Sequence, residues 1–153
     1  MWNIKKSINL SLIACFVVSV LVVLLMVFLP QLISVYAENR NITELLYLRN
    51  FILNACLTIY PSAVLGLVAL YSLIRMLLNI KADEVFIAQN VSYLRTISWC
   101  CFAVFGIAAL GGIFYVPFFA VSVAAGFVGL ILRVVKNVMQ TATKMREESE
   151  LTI

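Results

Sequence analysis

Between Arg95 and Arg133 the chain carries no charged side chain for 37 residues. A single helix of that length, at 1.5 Å per residue, would far exceed the roughly 30 Å hydrocarbon thickness of a bilayer. The stretch is therefore expected to fold back as a hairpin of two spans. Gly111, Gly112 and Pro117 lie at its middle and supply the turn signal. Span three is placed at about 96–113 and span four at about 117–138.

The N-terminal half obeys the same constraint. Lys5 and Lys6 precede an uncharged run from Ser7 to Ala37, which predicts span one at about 8–33. Val35-Tyr36-Ala37 has the small residues of a signal-peptidase site. The apolar core from Leu10 to Leu29 is longer than a signal peptide's, however, so an uncleaved helix is expected. A short mixed-charge loop follows, in which 43–48 is expected to form a surface helical turn. Span two then runs over about 51–78 and contains Pro61.

With 64% hydrophobic and 12% charged residues among 153, and a mean hydropathy of +1.08, there is too little polar surface to cover a water-soluble globule. The fold expected is all-α: one polytopic membrane domain over 1–153, packed as a four-helix bundle. The net charge of +4 does not point to nucleic acid, because the basic residues stand at the ends of apolar runs rather than in a cluster. Lys5, Lys6, Arg75, Lys81, Arg95, Arg133, Lys136, Lys144 and Arg146 fall on one side of the four spans, and only Arg40 and Arg49 on the other. That asymmetry places both termini and the 79–95 connection in the cytoplasm.

The cytoplasmic layer carries the distinctive polar residues. Asp83 is read as the N-cap of an amphipathic helix over about 84–95, whose oily face is built from Phe86, Ile87, Val91, Tyr93 and Leu94. Asn90 falls inside that face, where burial would oblige its amide to find partners. Span four is expected to continue into the cytoplasm, with Val134, Val138, Ala142 and Met145 as an apolar stripe and Arg133, Lys136, Gln140 and Lys144 opposite. Its acidic end holds Glu147, Glu148 and Glu150, which either pair with Arg95 or Lys81 or remain solvated. The candidate partner-binding residues are Phe86, Asn90, Leu94, Arg95, Glu147, Glu148 and Glu150.

An alternative site lies within the spans, where Asn54, Thr58, Tyr60 and Pro61 are the candidates for a neutral pocket that takes a lipid or an apolar peptide, as a small transporter or immunity protein would. Ion and proton pathways usually need ionisable groups in the spans, and the span centres have none. No enzyme, metal or cofactor is expected. The chain has no His, and Cys15, Cys56, Cys100 and Cys101 lack metal-ligand or resolving spacing and read as small hydrophobes. Small residues recur at helical spacing in Ala108 and Gly112, and in Ser122 and Gly126 with Ala125 and Gly129 beside them. This allows close helix packing and makes a second copy of the chain one expected partner besides membrane lipids.

The pattern Phe86-x-x-x-Asn90-x-x-x-Leu94-Arg95-x-Ile97-x-Trp99, then two spans and a terminal Arg146-Glu147-Glu148-x-Glu150-Leu151-Thr152-Ile153, resembles a bacterial family of small four-span membrane proteins catalogued as a domain of unknown function (two-nine-seven-five). Ser98 and Glu150 stand where members of that family usually carry Gly and Asp. The resemblance implies a bacterial cytoplasmic membrane and a small helix-turn-helix transcription regulator as companion. It implies no reaction and no catalytic residues.

Overall fold

A computed structural model describes residues 4–39, 45–113 and 116–152. They form four helices: α1 (Ile4–Asn39), α2 (Leu45–Lys81), α3 (Ala88–Gly112) and α4 (Val116–Leu151). All four are long and apolar enough to cross a membrane. The hairpin expected from the uncharged stretch is present, with α3 ending at Gly112 and Pro117 in the first turn of α4, where a missing N–H costs nothing. Gly111, read from sequence as part of the turn, is instead a buried helical residue. Of the surface turn expected at 43–48, residues 43 and 44 lie outside the described residues and the rest belongs to α2.

The largest departure is at 82–87. A separate helix over 84–95 does not form, because α3 begins at Ala88 and runs unbroken into the span. Asp83 is not an N-cap: the residue before α3 is Ile87, and it makes no side-chain cap bond. Asp83 instead follows the C-terminus of α2 at φ 62°. Its N–H donates to Ile80 O at 3.1 Å, and the Glu84 N–H returns to Asn79 O at 3.0 Å. This is the Schellman arrangement, with Asp in the left-handed position that Gly usually takes. Asp tolerates that region better than most residues, but still at some cost. Asp83→Gly should therefore raise stability by about 0.5–1 kcal/mol, and Asp83→Val should lower it, in thermal unfolding of the detergent-solubilised protein. A destabilised Gly variant would contradict this reading of the turn.

The four helices pack in chain order. Among the described residues α1 closely approaches α2, α2 approaches α3 and α3 approaches α4, with no further helix pair in close contact. The result is an open row in which the described residues of the first and last helices do not meet, where the sequence predicts a four-helix bundle. The physical reason lies in where the small residues are. Along α3 and α4, Ser98 Oγ donates to Gly129 O at 3.0 Å, and Ser122 Oγ donates to Phe105 O at 2.9 Å. A Cβ at Gly126 would lie 2.9 Å from the Phe105 ring, and one at Gly129 would lie 3.2 Å from Cys101 Cβ. These two helices are thus as close as glycine permits.

At the α2–α3 contact a Cβ on Gly111 would sit 2.8 Å from both Thr58 Cγ2 and Oγ1. By contrast α1, which has no glycine, meets α2 through ordinary side chains. Leu29 and Ala55 are buried with Ile52, Cys56 and Ile59 around them, and Tyr60 donates to Met26 O at 3.2 Å. Much of the apolar surface of α1 is left exposed, which suits lipid rather than water. All four cysteines are free; Cys15 and Cys100 are buried and the other two half-buried.

Candidate functional site

The polar end of the row gathers the α2–α3 connection, the start of α3 and the C-terminal half of α4. Asn90 organises it. Its side chain is fully buried, and every polar atom is used: Oδ1 accepts from Asn79 Nδ2 at 2.9 Å, while Nδ2 donates to Glu84 O and Val85 O, both at 2.9 Å. In a longer helix those two carbonyls would accept from the N–H groups of Ala88 and Gln89. The Asn90 amide takes that place, which is why 84–87 stays non-helical. Asn90 thus ties the connection to both α2 and α3, and its amide is not presented to an outside partner.

The other candidates separate in the same way. Leu94 is buried, whereas Phe86 is exposed. Arg95 is exposed on α3 and faces the acidic half of α4 across an open groove of about 510 Å³. Ala88, Val91 and Ser92 line that groove beside Arg95, with Gln140, Thr143, Lys144 and Glu147 opposite. Arg95 and Glu147, matched in sequence only by charge, are therefore brought to one surface. Glu148 and Glu150 are exposed outside the groove lining, and Glu150 pairs within its own helix with Arg146 at 3.0 Å. Such an exposed i,i+4 pair contributes only about 0.3–0.5 kcal/mol.

The apolar stripe of α4 is not the face it turns toward α3. Val134, Val138 and Met145 are exposed, while Thr143 is buried, its hydroxyl bonded to Met139 O at 2.9 Å. The rotation of α4 is set within the span, where Ser122 and Gly129 face α3, and the unbroken helix carries it outward. At about 100° per residue, Thr143 returns to within about 40° of Gly129, whereas Val134 lies about 140° away.

Of the four alternative-pocket candidates, Thr58 and Tyr60 serve different neighbours. Thr58 packs against Gly111 of α3 and bonds to Asn54 O at 2.8 Å. Tyr60, two residues on, reaches to Met26 of α1 on the other side of α2. Two residues span about 200° of helix, so these side chains serve opposite neighbours. Asn54 and Pro61 are both half-buried along α2.

Asn79, which holds Asn90, and Ser92 and Thr143 in the groove are not among the candidate site residues that the sequence singles out. Asn79 was detectable in principle, being a polar residue at the end of an apolar helix 11 positions before a second misplaced Asn. Ser92 and Thr143 carry no such signal, because Ser and Thr satisfy themselves against their own helix wherever they fall. No curated protein and no solved structure matches the chain. The family model described as "Protein of unknown function (DUF2975)" matches residues 32–153, which covers α2, α3, α4 and the groove between the last two, and the chain belongs to that family.

Proposed function

We propose that this chain is a non-enzymatic protein of the bacterial cytoplasmic membrane, with both termini in the cytoplasm, that regulates by binding a cytoplasmic protein at its polar end. The observation that supports this reading is the groove between α3 and α4, which displays Arg95, Lys144 and Glu147 with Ser92 and Gln140 on a helix-built surface. Side chains of both charges, spaced along an open cleft, suit a polypeptide that presents complementary charges, and such charges steer and register a partner. The excess of Lys and Arg at this end supports the cytoplasmic assignment. The partner favoured is a small helix-turn-helix regulator, as the family resemblance implies, held at the membrane by this surface without contact between this chain and nucleic acid.

A photo-crosslinking residue in place of Gln140 tests this in growing cells. The expected result is an adduct with such a regulator that falls about tenfold or more with Arg95→Glu and Lys144→Glu combined. An adduct insensitive to both substitutions, or none with any cytoplasmic protein, overturns the proposal.

A further inference from the structure

On the membrane side of the groove a second pocket of about 330 Å³ opens between α3 and α4. It is lined by Arg95, Ser98 and Trp99 from α3 and by Arg133 and Lys136 from α4. Three cations therefore line one small cavity with no carboxylate among the lining residues. Among the described residues none of the three forms a salt bridge. Such a cluster repels itself unless an anion joins it.

The depth of the pocket limits what that anion is. Arg95 and Arg133 are the two charges that bound the uncharged hairpin, so the cavity sits where the apolar stretch ends and headgroups begin. Trp99 is 61% exposed despite its size, and the Arg133 guanidinium lies over its ring, Cζ 5.8 Å from the centroid. An exposed Trp one helical turn inside the last cation is the arrangement favoured at the membrane–water interface, where one part of the ring meets acyl chains and the other meets headgroups. The ring also modestly favours this placement of Arg133, as an exposed cation–π contact does, so less freedom is lost when it binds. Beyond Trp99 the lipid-facing surface of α4 is apolar, with Phe127, Leu130 and Ile131 exposed.

We propose that this pocket binds the phosphodiester headgroup of an anionic phospholipid, with Arg95, Arg133 and Lys136 on the phosphate oxygens and the acyl chains running past Trp99 along α3 and α4. Arginine forks match phosphate geometry, and Lys136 adds a point charge. The Ser98 hydroxyl proton is committed to Gly129 O, so Ser98 shapes the floor and does not donate. Arg95 lines both cavities, which makes the lipid a direct neighbour of the groove.

The test uses the full chain in mixed vesicles of phosphatidylglycerol and phosphatidylcholine, extracted gently for native mass spectrometry. The expected result is retention of one phosphatidylglycerol in preference to phosphatidylcholine. Combining Arg95→Gln, Arg133→Gln and Lys136→Gln should abolish that preference, at about fivefold per cation removed. Removing three cations elsewhere, through Arg75→Gln, Lys81→Gln and Arg146→Gln, which line neither cavity, should leave it intact. Equal loss in both triple variants, or no loss in the first, overturns the site.

A second measurement needs no substitution in the pocket. With Trp2→Phe, Trp99 is the remaining tryptophan. Its fluorescence should be quenched more by brominated phosphatidylglycerol than by brominated phosphatidylcholine at equal mole fraction. Equal quenching, or relief of the difference by inorganic phosphate at constant ionic strength, would show that the lipid is not the selected ligand.

Discussion

Replacing Asn90 with Leu is expected to lower stability by about 2–4 kcal/mol, although Leu is the more hydrophobic residue and the site is fully buried. The substitution removes three hydrogen bonds at once and leaves the Asn79 amide and the carbonyls of Glu84 and Val85 without their partner. An unsatisfied polar group out of water costs more than the lost bond itself contributed. Asn90→Asp is expected to be similarly damaging when ionised, because a carboxylate offers no donor to the two carbonyls. Asn79→Ala loses a single bond, so about 1 kcal/mol is expected. The measurement is the unfolding midpoint of each variant in detergent, together with hydrogen exchange of the 82–90 amides, which should accelerate in Asn90→Leu before the rest of α3 is affected. An unchanged midpoint for Asn90→Leu would sink the claim that this side chain is a structural tie.

The second large effect concerns Gly111. Gly111→Ala places a methyl group 2.8 Å from two atoms of Thr58. Thr58 is β-branched and its hydroxyl is bonded to Asn54 O, so it has no free rotamer to move into. The helices must separate, which is expected to cost about 1–3 kcal/mol. Thr58→Ala removes both clashing atoms and leaves Cβ at 3.4 Å, an ordinary contact. The double variant Gly111→Ala, Thr58→Ala should therefore recover about 1 kcal/mol or more relative to the sum of the two single changes. Strict additivity, measured by the same unfolding assay, would mean that α2 and α3 do not meet through this pair.

Both predictions rest on residues that the sequence marked as unusual without showing why. Asn90 was legible as a polar residue on an oily face, and burial did oblige it to find partners. Those partners are backbone carbonyls in the connection and an amide on α2, and periodicity along one helix contains neither. Gly111 was legible only as a turn former, because glycine breaks helices and permits close packing with equal readiness; contact with Thr58, 53 positions earlier, separates the two roles. Asp83 illustrates the same ambiguity. An Asp between two helices serves the start of one or the end of the other. The Glu84 N–H returning to Asn79 O assigns it to the end of α2.

The sequence by itself determined the number of membrane-type helices, the hairpin between Arg95 and Arg133 and the asymmetry of basic residues. Each follows from a one-dimensional rule: apolar length must match bilayer thickness, and charge must stay outside it. Only the tertiary structure decided that the helices form an open row, that Arg95 and Glu147 line one groove, and that Arg95, Arg133 and Lys136 share a cavity. These depend on the rotation of each helix about its own axis. That rotation is set where Ser122, Gly126 and Gly129 let α4 approach α3, and the unbroken helix transmits it to every charged residue beyond the span.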